Sequence, residues 1–121
     1  MIIYLPIKKI SHHILFHLTI SQVLILLYMM KFIWDENKLK SNLEKHGLDF
    51  DVAKEVFHAP EVSVFIDDRF DYGEERRLAY AIVDGIKLCL CYVHKKEEIR
   101  VISLRRVHDK EWRKHHGDSY I

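Results

Sequence analysis

The chain has 121 residues, 49% of them apolar and 31% charged, with a formal net charge of +1. That length confines it to a single domain, and the apolar content excludes a disordered chain. Near-neutrality excludes a bulk polyanion binder, so any nucleic acid must be met by a local basic cluster.

Residues 1–30 hold Lys8 and Lys9 and no acid, which leaves 17 basic and 18 acidic residues for the remainder. From position 14 to 30 the chain is strongly apolar. No small-residue cleavage site follows, which speaks against a signal peptide. The run is at the short end of a bilayer span and is interrupted by His17, Ser21 and Gln22, which speaks against a membrane anchor. Residues 1–29 are therefore read as a hydrophobic extension, upstream sequence from an early start codon, and residues 30–121 as the domain. Residues 31–34 form a short extended lead-in. Asp35 can accept from the orphan amides of a first helix, Leu39 and Leu43 share one of its faces at i, i+4, and Gly47 supplies a left-handed stop. A second short helix carries Phe50, Ala53 and Phe57 on one stripe and ends before Pro60.

Beyond Pro60 the period changes to two, with Val62, Val64 and Ile66 alternating. Residues 77–83 and 86–94 are dense in β-branched, aromatic and apolar side chains. Asp84-Gly85 between them is a two-residue hairpin signal. Cys89 and Cys91 sit two apart within the second run, too close for a disulfide and without companion ligands for zinc. They read as small buried hydrophobes of a strand. Lys95-Lys96 turns the next hairpin, residues 98–105 form another strand, and residues 108–116 a closing helix. The fold class is α+β: two N-terminal helices, an antiparallel sheet of about four strands, and a C-terminal helix.

The hairpins fix an expected register. With Val83 facing Ile86, Arg76 lies opposite Val93. With His94 facing Glu97, Arg100 lies opposite Cys91. Arg76 and Arg100 then share one face on diagonal positions, about 10 Å apart across the central strand. Ser103 and Arg105 project from the opposite face if their strand is regular. A one-residue slip would reverse these assignments.

Two blocks carry a family resemblance. The first is Phe32-Ile33-Trp34-Asp35-Glu36-Asn37-Lys38, running on to Asn42 and then Lys45-His46-Gly47-Leu48-Asp49-Phe50. The second is Gly73-Glu74-Glu75-Arg76, followed by Arg100-Val101-Ile102-Ser103-Leu104-Arg105-Arg106. Over residues 30–111 the chain resembles the BrnT family, small bacterial toxins of type II toxin–antitoxin modules. Met29 and Met30 stand where such proteins begin. The resemblance implies a fold like that of the RelE-type ribonuclease toxins, and metal-independent, cofactor-free RNA cleavage that inhibits translation in the cytoplasm. It implies a cognate BrnA-like antitoxin of ribbon–helix–helix type, and a heterotetramer of two toxins with two antitoxins that reaches operator DNA through the antitoxin. The matching positions are Trp34, Asp35, Lys38, Asn42, Lys45, His46, Gly47, Glu74, Arg76, Arg100, Ser103 and Arg105. Departures are Leu104, where a small residue is usual, and Arg77-Leu78-Ala79-Tyr80, where glycine or a small apolar residue is common. Leu104 and Tyr80 could fill space beside the site.

RNA cleavage without a metal proceeds by attack of the ribose 2′-hydroxyl on its own phosphate, and charge grows on the phosphoryl oxygens. Arginine stays charged and offers a planar fork matched to phosphate. Together with this chemistry, the resemblance implies Arg76, Arg100, Ser103, Arg105 and His46 as the candidate catalytic residues. Lys38, Lys45, Trp34 and Arg106 are the candidate RNA contacts, and no metal ligands are assigned. Base and acid are to be found among His46, Lys45, Glu74 and His108. Each residue also has a plain structural reading. Arg105 and Arg106 could pair with Glu111 or Asp109, His46 could serve the helix dipole, Trp34 could be core, and Lys38 could cover Leu39 and Leu43. A second function is also open: a catalytically inactive relative acting as a co-repressor subunit with its antitoxin.

Overall fold

A computed structural model describes residues 19–116 of the chain. Helix α1 (Ile20–Met29) leads into strand β1 (Lys31–Ile33) and helix α2 (Glu36–His46). A 3-10 turn (Phe50–Val52) runs into helix α3 (Ala53–His58). Strands β2 (Ser63–Ile66), β3 (Arg77–Val83), β4 (Ile86–Lys95) and β5 (Glu98–Arg106) follow, and helix α4 (Asp109–His116) closes the chain. Of the apolar extension, residues 19–29 fall within the described residues. No described helix is long and apolar enough to cross a membrane.

Local chemistry sets the element ends. The Asp35 carboxylate accepts from the amides of Asn37 and Lys38 at 2.9 and 3.1 Å, satisfying two donors that the first helical turn leaves open. Gly47 takes φ 65° and its amide donates to the Leu43 carbonyl, which stops α2. Asp84 and Gly85 both have positive φ (50° and 76°). This turn matches strand twist and sets Val83 opposite Ile86, as the sequence predicts.

The sheet order is β1-β5-β4-β3-β2. The α+β class stands, but the sheet has five strands and is mixed rather than antiparallel. The lead-in at residues 31–33 is itself a strand, parallel to β5, with Lys31 paired to Glu98 and Ile33 to Arg100. Three residues are too few to show a period, so the sequence gives no sign of this pairing.

Two further corrections concern register. The β4–β5 turn falls at Lys96–Glu97, with Lys96 at φ 53°, one residue later than expected. His94 thus faces Ile99, and Arg100 faces Val93 instead of Cys91. The slip is two residues, so side chains keep their faces. The other correction reverses a face. Tyr92 pairs with Val101 but Cys91 pairs with Ser103, so Ile102 is an extra residue on β5. This bulge turns Ser103 and Arg105 onto the face that already carries Arg76 and Arg100.

Each face has its own apolar cluster. Ala79, Leu90, Tyr92, Val101 and Leu104 point to the face covered by Phe50, Val56 and Phe57 of the helical layer. Leu78, Tyr80, Cys89 and Cys91 point the other way, where Trp112 of α4 packs against them. Both cysteines are free and buried, as predicted. Helix α2 does not present the expected Leu39–Leu43 stripe, because Leu43 is 42% exposed. Its buried residue is Asn42. The Asn42 amide donates to the Leu104 carbonyl at 2.9 Å and accepts from the Leu104 amide at 3.0 Å. The side chain thus pairs with β5 as a neighbouring strand would.

Candidate active site on the sheet

Strand pairing lays three rows across the face opposite the main helical layer. The first pairs Val93 with Arg100, and Arg76, one residue before β3, extends it; the second is Leu78, Cys91, Ser103; the third Tyr80, Cys89, Arg105. Helix α4 covers the third row.

Glu74 ties the first row together. Its Oε1 accepts from Arg100 Nη2 at 2.5 Å and from Arg76 Nε and Nη2 at 3.4 Å. Burial pushes the Glu74 carboxyl up, but the two guanidinium groups outweigh it and hold the group below the usual glutamate value. The Arg76 guanidinium also lies 4.2 Å from the centre of the Tyr72 ring, a cation–π contact. The Tyr72 hydroxyl donates to Asp67 Oδ2 at 3.1 Å. Asp67 is buried and accepts from Arg69 Nε and Nη2 at 2.7 and 2.8 Å. Hydrogen bonding by Arg69, working against burial, holds its carboxyl down at about 2.

Arg105 is held differently. Nη1 and Nη2 donate to the two carboxylate oxygens of Glu111 at 2.8 and 2.7 Å, and the Tyr80 hydroxyl donates to the same carboxylate at 2.8 Å. The bonds from Arg105 keep Glu111 at about 2. His115 stacks on Tyr80 with ring centres 4.4 Å apart, and burial lowers its basicity. Beyond Arg100 the surface dips into a shallow hollow of about 190 Å³ lined by Ile33, Val93, Lys95, Glu98 and Arg100. The face therefore offers arginines, a carboxylate and a hydroxyl on an open sheet, suited to an extended anionic chain rather than to a small enclosed ligand. Among the described residues, no group of three or more His, Cys, Asp or Glu stands together to hold a metal ion.

The model of the ribonuclease toxin BrnT of type II toxin–antitoxin systems matches residues 34–111. The chain belongs to the BrnT family. No individual curated protein matches it. Membership places this BrnT chain among the ribonuclease toxins and implies an antitoxin partner.

The BrnT motif positions divide into two groups. Arg76, Arg100, Ser103 and Arg105 share one face, with Glu74 among them. The others belong to the helical side. Arg106 points with Leu104 to the helix-covered face, and its Nη1 donates to the His46 carbonyl at 2.7 Å. This bond fastens β5 to the end of α2. His46 is thus placed apart from the arginine rows, and exposed Lys45 adjoins it. Trp34 packs edge-on against Phe50, ring centres 6.1 Å apart, within the helix-side core. Lys38 stands one turn before Asn42 on α2 and is exposed. His108 is exposed at the start of α4.

Leu104 is fully buried in the helix-side core and takes no space beside the arginines, contrary to expectation. Tyr80 does reach the arginine face. The Arg105–Glu111 pair agrees with the plain structural reading of that arginine. Sequence reasoning passed over Arg69, Tyr72 and Asp67, which reach Arg76 through a loop with no regular pattern. His115, within the closing helix, was given no role. The i, i+4 spacing of Glu111 and His115 in a closing helix was the one available signal for a shared face.

Proposed function

We propose that this BrnT protein is an active, metal-independent endoribonuclease whose site is the arginine face of the sheet. Arg76 and Arg100 grip the scissile phosphate and neutralise the charge that grows on its oxygens. Glu74, ionised between them, takes the proton of the attacking 2′-hydroxyl; the bond from phosphorus to the 5′-oxygen breaks as the 2′,3′-cyclic phosphate forms, and the leaving oxygen takes a proton from water. Ser103 donates to the phosphate from the next row. Arg105 supports that row through Glu111, and Lys38 meets the backbone of the RNA. The observation that carries this reading is the Ile102 bulge, which gathers four widely spaced polar positions of one family motif on a single face. The partner is an antitoxin of ribbon–helix–helix type, in a complex of two toxins and two antitoxins that reaches operator DNA through the antitoxin. The setting is the cytoplasm.

The test is growth after induction of the chain in a bacterial host, with total RNA run on a gel. Arrest with RNA degradation is expected. Arg76→Ala and Arg100→Ala should each lower cleavage by about 10²–10³-fold, the effect of losing one well-placed donor. Arrest of equal strength in both variants overturns the site. One observation favours a second reading, an inactive co-repressor subunit: Arg76, Arg100 and Arg105 are all paired with carboxylates of the same chain. On that reading the soluble protein leaves RNA intact and still tightens the antitoxin on its promoter.

A further inference from the structure

The connection between β2 and β3 carries an aromatic side chain that the proposed reaction does not use. Phe70 is 70% exposed, the largest value among the exposed large apolar residues described. It is nevertheless held in place. Its ring meets Tyr72 edge-on, with centres 5.8 Å apart and planes at 73°, and Tyr72 in turn lies under the Arg76 guanidinium. Buried Asp67 fixes the loop at its root. It binds Arg69 and Tyr72 through its carboxylate, and its amide donates to the Arg76 carbonyl at 2.8 Å. Phe70 is therefore presented on an anchored loop, next to an arginine that faces the candidate phosphate site.

We propose that this loop is a base-binding subsite: Phe70 is the platform on which one unpaired nucleobase stacks, beside the phosphate held by Arg76 and Arg100. The inference rests on the ribonuclease reading of that face. An aromatic ring flanked by guanidinium groups answers the two parts of a nucleotide, base and phosphate. Aromatic stacking is tolerant of sequence because every base has a π-face. Arg69 commits Nε and Nη2 to Asp67, yet its side chain is 61% exposed. A guanidinium has five N–H donors, so the remainder can meet the adjoining phosphate. Exposed Asp68 and Asp71 lie either side of the Arg69–Phe70 pair, and Asp71 accepts from the Gly73 amide at 3.0 Å. Two acids there disfavour a phosphate over Phe70 itself and leave its ring to the base. The substrate class is single-stranded RNA, since a base within a duplex cannot be splayed onto a side chain.

The test is fluorescence anisotropy of the whole chain with a single-stranded RNA octamer whose 2′-hydroxyls are methylated, so that it binds without being cut. Phe70→Ala should weaken binding about tenfold, and Phe70→Trp should restore it. The difference between wild type and Phe70→Ala should vanish on an abasic chain of the same length. With cleavable RNA, Phe70→Ala should raise KM and leave kcat near wild type. Being exposed, Phe70 can be truncated without loss of the fold, which a thermal melt checks. Equal affinity of wild type and Phe70→Ala, in a protein that does cut RNA, overturns the subsite and leaves the ribonuclease reading intact. If that variant also escapes neutralisation by the antitoxin, Phe70 belongs to the protein interface instead. A wild-type chain that neither binds nor cuts RNA overturns both.

Discussion

Glu74 is the residue whose role is sharpest. A carboxylate held low by two arginines is ionised throughout the neutral range, which is the form a base needs, and the same two charges make it a weaker base. Glu74→Gln keeps the shape and removes the base, so kcat should fall by about 10²–10⁴-fold while the thermal midpoint changes little. Tighter RNA binding with unchanged kcat would make Glu74 a mere counter-ion. In the wild type, protonation of this group should set an acid limb in the pH–rate profile, placed below the ordinary glutamate value of 4.5. Leu104 teaches the opposite lesson. Its place between Ser103 and Arg105 suggests an obstruction of the site, yet alternation sends it into the helix-side core. Leu104→Ala should therefore cost about 2–5 kcal/mol of stability, measured by denaturant unfolding, and should not raise activity.

Among the elements, α2 and β5 depend on each other through one amide. Asn42 satisfies both backbone groups of Leu104 at a strand edge, and its Nδ2 also donates to the Leu48 carbonyl at 3.0 Å. Asn42→Ala should lower stability by about 3 kcal/mol, since buried partners left unmade cost ~1–3 kcal/mol each. The check is a shift of the denaturant midpoint at constant slope; a change under 1 kcal/mol would refute it. The ends of α2 were legible because a cap and a left-handed glycine are local chemistry. Its buried face was not, because Asn42 answers a strand 62 residues away. The Val83–Ile86 register was legible from Asp84-Gly85. The β5 bulge was not, because its extra residue is isoleucine, an ordinary strand former, with no glycine to mark it. Arg76 and Arg100 therefore read as one face and Ser103 and Arg105 as the other, when folding unites them.

For the molecule as a whole, two carboxylates link loop and helix to the sheet and set its response to acid. Asp67 and Glu111 both lie at about 2 in the folded protein, against ordinary values of 3.8 and 4.5. A depressed folded value means that the stabilisation is complete above the unfolded value and is lost as pH falls through the folded one. Thermal midpoints should hold to about pH 5 and then drop steadily toward pH 2. Glu111→Gln should be less stable at neutral pH and should show a shallower fall. A parallel fall in both proteins would show that the Arg105–Glu111 pair contributes nothing. The overall architecture was legible because period changes and turn residues recur along the chain. The parallel β1 was hidden by its brevity, and so was the single-residue offset within β5.

That offset has a consequence for how the chain can vary. Ile102 has no partner on β4, so its loss would leave Ser103 opposite Cys91 and Arg105 opposite Cys89, and the strand would become regular with every downstream side chain on its present face. Loss of Leu104, which is paired, would instead send Arg105 into the oily layer. A one-codon deletion at position 102 should therefore be far better tolerated than one at position 104.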